Sequence, residues 1–283
     1  KLVDIDSYLD FIITEIYVSN HSWGHNVKFW KPKNIINSKW KWMLTDLDRG
    51  FFGHRVTADY ISLFSGVDST HYNKDHWMVK SFSKLLDSDE FRDLFISKLS
   101  DYLYIPFHTK SVSNQITSFK HNIQNEVPFH VDKWKDATSS VGDGIESYTY
   151  WDNQVSYLFY FATKRDSIVR NQLKTIFNLK DKELNITVST QNSGMVKLND
   201  LIVPENNWHG KYIQGIPIIF EAIAEEGYRF SYWEGMGLQD SSSFKFTDSL
   251  IENTNLIAHF VVDTAIRKDI VINEINYASS SSF

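Results

Sequence analysis

Residues 20–30 read NHSWGHNVKFW, and residues 39–51 read KWKWMLTDLDRGF. Both segments are rich in aromatic and apolar residues, which is typical of β-strands. Between them, residues 31–38 contain Pro32 and two asparagines, which favour a turn. The sequence therefore predicts a β-hairpin with one strand in each of the two quoted segments.

The polar residues that flank this hairpin form a candidate metal site. A hairpin brings the residue before its first strand close to the residues after its second strand, so we expect Asn26 to approach Asp46 and Asp48. One amide oxygen facing two carboxylates offers the hard oxygen ligands that suit Mg²⁺ or Mn²⁺. The alternative is a solvated turn, in which Asp46 caps the backbone and Asp48 pairs with Arg49 or Lys28.

The chain resembles the spore coat protein H (CotH) kinase family, an atypical branch of the kinases found in secreted and surface proteins. The resemblance rests on a helix predicted at residues 4–19, on both hairpin strands and on a long helical tail. That tail contains the sequences FRDLF, VDKW and FATKRDSIVRNQLKTIFNL. The resemblance covers residues 1–180, and its most specific part is the stretch between Asn26 and Asp46.

The resemblance implies a phosphoryl-transfer site that uses Mg²⁺ or Mn²⁺ with ATP. Asp46 would be the metal-binding carboxylate, Asn26 its amide partner and Asp48 a second carboxylate of the same motif. Lys28 and Arg49 would contact phosphate or neutralise these carboxylates. The protein would then act on a protein substrate.

Two features depart from the family pattern. The family usually carries an Asp in the segment that here reads Asn-His-Ser-Trp, and the kinase spacing counted back from Asn26 leads to His21. A His can act as a general base, although it brings no negative charge to a metal. A kinase-like fold also needs an upstream sheet lobe with a phosphate-binding Lys, whereas this sequence opens directly into a helix. We therefore expect that lobe to lie outside these residues, and this fragment alone to be inactive.

Composition limits the classes of partner. The formal net charge is −6 and is spread along the chain without a basic stripe, which argues against nucleic acid and against electrostatic docking to an anionic membrane. No apolar run is long enough to span a membrane. The sequence has no cysteine, so neither disulfides nor thiolate chemistry are available.

The fold class predicted from the sequence is α+β, with a mostly helical kinase-like lobe around the central hairpin. Apolar residues recur at helical spacing in residues 4–18, and further helices are predicted at residues 76–86, 89–104, 111–126 and 151–177. Residues 51–75 lack such periodicity and are predicted as a long loop.

A small all-β module is predicted at residues 183–265, after the kinase-like domain at residues 1–180. Its strands are predicted at residues 184–189, 195–198, 212–224 and 255–262. The module resembles the B-repeats of internalin-type bacterial surface proteins, in which a GY.F..WEG hairpin is a signature. Residues 268–283 resemble the start of a lamin-tail-like domain.

Two functions remain open at this point. The first is a secreted or cell-surface kinase, with His21 and Asp46 as its catalytic residues. The second is a non-catalytic bacterial surface scaffold with β binding modules and a surface or carbohydrate partner. His21 and His25 also stand at the spacing of zinc ligands, but the sequence offers no third ligand. No motif of a classical hydrolase or NTPase is present.

Overall fold

The computed structural model describes residues 2–139, 142–236 and 242–264 of the chain. Its first part is helical around one hairpin, and its last part is built of strands, so the predicted α+β class is confirmed. The helices are α1 (Ile5–Val18), α2 (Tyr60–Phe64), α3 (Trp77–Leu85), α4 (Asp89–Tyr104), α5 (Thr109–Ile123), α6 (Val127–Trp134) and α7 (Tyr148–Phe177).

Helix α1 starts and ends where its sequence dictates. Asp4 is the N-cap, and its Oδ1 accepts a hydrogen bond of 3.1 Å from the Ser7 backbone N–H. At the other end Ser19 adopts a left-handed conformation with φ 55°, which stops the helix. The apolar stripe between them is fully buried, so α1 lies in the centre of the helical part.

The predicted hairpin is confirmed. Strand β1 (Lys28–Trp30) pairs antiparallel with β2 (Lys41–Met43), and Phe29 lies opposite Trp42. The Trp42 ring packs edge-on against Tyr8 of α1 at 4.8 Å between centroids, and the Ser7 hydroxyl accepts from the Trp42 N–H. These contacts fix the hairpin on the N-terminal half of α1.

Arg165 of α7 joins the end of α1 to the segment that precedes α2. The side chain is fully buried, and its guanidinium donates to four backbone carbonyls, those of Ile16 (2.6 Å), Tyr17 (2.8 Å), Val56 (2.6 Å) and Ala58 (2.9 Å). Two of these carbonyls belong to the last turn of α1, where backbone acceptors have no partner within the helix. Burial lowers the Arg165 pKa to about 10, so the group stays charged at neutral pH.

The C-terminal part forms two four-stranded sheets. Its strands are β5 (Asp181–Val188), β6 (Gly194–Leu198), β7 (Leu201–Ile202), β8 (Asn207–Ile213), β9 (Pro217–Ala224), β10 (Tyr228–Glu234), β11 (Lys245–Ser249) and β12 (Thr254–Val262); β3 (Thr138–Ser139) and β4 (Gly142–Asp143) form a separate pair before α7. One sheet has the order β10-β12-β5-β8 and the other β11-β9-β6-β7. Their alternating buried residues enclose a second apolar core around Trp233.

Two features of this part differ from the sequence prediction. The single strand predicted at residues 212–224 is wrong, because Gly215 with φ 81° turns the chain and separates β8 from β9. The GY.F..WEG segment forms strand β10, which pairs with β12 rather than folding into a hairpin. Its Trp233 is fully buried.

The helical and β parts are in direct contact. Asn199, in a left-handed conformation with φ 51°, donates to Asp101 Oδ2 of α4 at 2.8 Å and accepts from the Ile219 N–H. Arg170 of α7 lies 3.5 Å above the centre of the Tyr104 ring and donates to a backbone carbonyl of β8.

The loop predicted at residues 51–75 contains the short helix α2, so that prediction is wrong. Asp59 caps α2 through the Ser62 N–H, and one helical turn is too short for a periodic pattern to reveal. The lamin-tail-like stretch at residues 268–283 lies outside the described residues. None of the helices in the described ranges combines the length and the apolar composition that crossing a membrane requires.

Replacing Arg165 tests how much the fold depends on it. We expect Arg165→Met to lower the free energy of unfolding by about 3 kcal/mol or more, because four buried carbonyls lose their donors. Urea unfolding measures the change. Arg92→Met, which removes a partly exposed ion pair with Asp89, is the matched control and should change it by less than about 1 kcal/mol. Equal effects of the two changes would contradict the role given to Arg165.

Glu15 makes the stability depend on pH. The Glu15 side chain is fully buried, and this burial raises its pKa to about 7, while the neighbouring Asn20 side chain acts to lower it. The native state therefore binds an extra proton between the ordinary pKa of a glutamate and pH 7, so its stability falls as the pH rises through that range.

We expect the Glu15→Gln variant to lack this dependence. Between pH 5 and pH 8 the stability difference between the variant and the parent should change by an amount on the order of 3 kcal/mol, in favour of the variant at pH 8. Denaturant unfolding at several pH values measures it. The exposed Glu226→Gln change is the control, and parallel curves for parent and Glu15→Gln would contradict the assignment.

Candidate functional site

The first wall of the candidate site is the segment that follows α1. After Ser19 reverses the chain, residues 20–22 lead into a short 3₁₀ helix, Trp23–His25. Trp23 is fully buried, and its ring contacts Phe64 at 4.8 Å and His76 at 4.9 Å between centroids. This anchor holds the polar residues on either side of it in place.

The second wall is the segment that follows the hairpin. Asp46 has a left-handed backbone (φ 58°, ψ 54°) and precedes a 3₁₀ helix, Leu47–Arg49. Aspartate tolerates this conformation better than most residues, and such geometry concentrates at functional sites. Gly50 then passes close to α1, where an added Cβ would lie 3.1 Å from Val18 Cβ. The side-chain-free residue allows this segment to run alongside the end of the helix.

Hydrogen bonds of polar side chains join the two walls. Asn20 is fully buried, and its Oδ1 accepts from both the backbone N–H and the hydroxyl of Ser22, at 3.1 Å each. Its Nδ2 donates to the Asp46 carbonyl at 3.5 Å. Asn26 in turn donates to the Ser22 hydroxyl at 3.4 Å and accepts from Thr45 Oγ1 through its backbone carbonyl at 3.0 Å.

The two walls enclose a cavity of about 520 Å³. Its lining residues are His21, Ser22, His25, Asp46, Asp48, Arg49 and Tyr72. The structure therefore brings three of the residues singled out from the sequence, His21, Asp46 and Asp48, to one cavity.

The other two predicted residues lie elsewhere. Asn26 is outside the lining but is bonded to Ser22, which lines the cavity, and to Thr45, the neighbour of Asp46. Lys28 lies on the exposed strand β1 opposite Met43 and does not line the cavity. Arg49 is a positively charged residue that does line the cavity.

His21 is held in a defined environment. The Tyr72 hydroxyl donates to the His21 carbonyl at 2.5 Å and lies 3.3 Å from the His21 Nδ1. Partial burial, followed by the positive charges of Arg55 and Arg49, lowers the His21 pKa below its usual value of 6.5. The imidazole is therefore neutral at pH 7, which is the form that accepts a proton.

The donor set fits a metal ion that arrives with a phosphate. Mg²⁺ is usually bound through one or two carboxylates together with substrate phosphates and water, and Asp46 and Asp48 supply two carboxylates on one cavity. Within the described ranges no three His, Asp or Glu side chains come together as a ligand group, so the zinc site considered for His21 and His25 lacks its third ligand.

Tyr72, Ser22, His25 and Arg49 complete the lining. From the sequence, His25 was considered only as a zinc ligand and Arg49 only as a contact to phosphate or the carboxylates, and Tyr72 and Ser22 were not identified. Ser22 and His25 lie inside the quoted segment, so its polar side chains were the available signal. Tyr72 comes from a loop without a motif and reaches the cavity only through the tertiary structure.

The electrostatic origin of the His21 pKa can be tested by removing a charge. We expect NMR titration of the His21 imidazole to give a pKa below 6.5, and Arg49→Gln to raise it, because one repulsive positive charge is lost. Arg92→Gln, on the distant helix α4, is the control and should leave the titration unchanged. A His21 pKa above 6.5 in the parent protein would contradict the assigned environment.

Comparison with known proteins identifies the family. Residues 1–169 match the family model described as CotH kinase protein. No curated protein and no solved structure matched the chain. The resemblances of residues 183–265 to B-repeats and of residues 268–283 to a lamin-tail-like domain remain predictions. Because the family match covers more than half of the 283 residues, the chain belongs to the CotH kinase protein family.

Proposed function

We propose that this chain carries the phosphoryl-transfer centre of a secreted or cell-surface protein kinase that uses ATP with Mg²⁺ or Mn²⁺. The supporting observation is the convergence of His21, Asp46 and Asp48 on one cavity, although the histidine and the two carboxylates lie on opposite sides of the hairpin. The kinase family match covers all three residues. The absence of cysteine is compatible with an exported protein.

Asp46 and Asp48, which line the cavity, would hold the metal. The family resemblance also assigns Asn26 as an amide donor, although Asn26 lies outside the lining and its amide donates to Ser22. When bound, the metal neutralises the charge that develops on the phosphates. The left-handed backbone of Asp46 sets the direction in which its side chain leaves the chain before any ligand binds. Arg49 lines the cavity, and its planar guanidinium suits phosphate oxygens. This position supports a phosphate contact for Arg49 more directly than for Lys28.

His21 would accept the proton of the substrate hydroxyl. Its lowered pKa keeps the imidazole neutral at pH 7, and the Tyr72 contact limits its movement. A neutral base contributes no charge to the metal, so transfer would depend mainly on positioning by Asp46, Asp48 and Arg49.

A second function is a surface scaffold that keeps the kinase-like fold without catalysis. One observation favours it. Residues 20–26 place His21, Ser22 and His25 on the cavity wall but contribute no carboxylate, where the family usually has one. The two-sheet β part would then serve as a binding module for a surface or carbohydrate partner.

Phosphate incorporation in the full-length protein separates the two functions. With labelled ATP and Mn²⁺ or Mg²⁺, we expect Asp46→Ala to lower incorporation about 100-fold or more, because the metal loses a carboxylate. Asp132→Asn, on the exposed face of α6, is the matched control and should retain activity. No incorporation by the parent protein would support the scaffold.

The role of His21 has its own test. We expect His21→Ala to lower the rate about 100-fold while metal-dependent ATP binding persists, because only the base is lost. In the parent protein the rate should fall as the pH drops below the lowered His21 pKa, since the imidazole is then protonated. If His21→Ala keeps the parent rate and pH profile, His21 is not the base.

A further inference from the structure

A second, larger cavity begins beside the candidate site. It has a volume of about 1120 Å³ and lies between the segment of residues 48–54 and the N-terminal half of α7. We call it the aromatic groove. Its lining residues are Asp48, Gly50, Phe51, Phe52, Gly53, His54, Tyr150, Trp151, Asn153, Gln154, Val155, Ser156, Tyr157, Leu158 and Tyr160.

Most side chains of the aromatic groove are rings, aliphatic groups or uncharged polar groups. Phe52, Tyr150, Tyr157 and Tyr160 are between 37% and 56% exposed. The lining contains no Lys, Arg or Glu, and Asp48 is its only carboxylate. An exposed group of rings of this kind marks an interaction site, and the scarcity of charge favours an uncharged occupant.

Both walls of the groove are anchored. Phe51 packs against the buried Phe161 at 4.8 Å between ring centroids. A Cβ added to Gly53 would lie 3.5 Å from Tyr160 and 3.6 Å from Tyr157, so the loop already rests on these two rings. The groove is therefore largely formed before a ligand arrives, which is usual for binding sites.

Asp48 lines both the aromatic groove and the candidate site. An occupant of the groove that reaches Asp48 is therefore adjacent to the cavity that His21 and Asp46 line. This continuity makes the groove suitable for the substrate rather than for a separate ligand.

We propose that the aromatic groove binds an extended, uncharged peptide segment rich in proline or other apolar residues, and presents its serine or threonine hydroxyl to His21. The proposal rests on the proposed kinase function and specifies its substrate class. Proline-rich segments in the polyproline conformation bind to aromatic-lined grooves because little conformational entropy is lost.

The length of the groove sets the length of the segment. From Tyr150 to Tyr160 the helix rises about 15 Å, which corresponds to about five residues of a polyproline helix. Asn153, Gln154 and Ser156 supply both donors and acceptors for the peptide backbone along this distance. The binding determinants are thus ring faces and amide groups.

Peptide binding without nucleotide tests the groove independently of catalysis. The probe is a fluorescent, end-blocked peptide of proline and alanine with a central serine, measured by anisotropy on the full-length protein. We expect Tyr157→Ala to weaken binding about tenfold or more, because an exposed ring of the groove is lost. Phe119→Ala on α5, an aromatic residue with 64% exposure outside the groove, is the matched control.

Two further ligands test the chemical class of the occupant. Replacing the alanines by lysine should weaken binding, because the lining offers one carboxylate to compensate the ammonium groups that lose water on binding. A neutral glucose oligosaccharide should not compete with the peptide. Tighter binding of the oligosaccharide than of the peptide, or equal affinities of parent and Tyr157→Ala, would overturn the proposal.

Asp46→Ala separates this proposal from the proposed function. The variant should bind the peptide as the parent does and fail to phosphorylate it, because the groove does not include Asp46. Phosphate incorporation by a parent protein that does not bind the peptide would refute the groove alone. Peptide binding without any incorporation would refute the kinase function, and with it the hydroxyl transfer that the proposal assigns to the bound peptide.

Discussion

The helical part of this protein depends on the buried guanidinium of Arg165. A helix end leaves backbone carbonyls without partners, and in the interior no water can satisfy them. Arg165 satisfies two of them at the end of α1 and two more before α2. A rigid fork of donors can hold several acceptors at once, which the single ammonium of a lysine does less well. One buried charge therefore satisfies four backbone carbonyls and joins the two segments to which they belong.

The candidate site is a consequence of this arrangement. Apart from Tyr72, the residues that line it follow directly after the end of α1, or lie in the segment that Gly50 brings against that end. Asn20 connects these two segments, because it accepts from Ser22 and donates to the Asp46 carbonyl. The buried Glu15 lies in the last turn of α1, before Asn20. A change in the position of the α1 terminus would shift His21 and Asp46 together.

The cavity combines two carboxylates that can bind a metal with a histidine at the position where the family usually has an aspartate. Asp46 and Asp48 provide what phosphoryl transfer requires of a metal site, whereas the opposite wall offers a neutral imidazole and a hydroxyl. Since positioning and metal charge dominate this reaction, a neutral base is compatible with transfer. The aromatic groove lies next to this cavity, because Asp48 lines both of them.

The sequence alone determined the hairpin, the main helices and the residue types of the site, because these depend on local patterns. Turn formers between two aromatic runs specify β1 and β2, and the pairing of the hairpin then requires Asn26 and Asp46 to be neighbours along its open end. Helix α2 was not predicted because a helix of about one turn is too short to show a periodic pattern. Residues 212–224 were predicted as one strand because most of them are apolar, but Gly215 turns the chain within this stretch. Three features depended on the tertiary structure: the contact between Tyr72 and His21, the bonds of Arg165 to the end of α1, and the aromatic groove. Each of these contacts joins residues far apart in the chain, and long-range packing leaves no local pattern in the sequence.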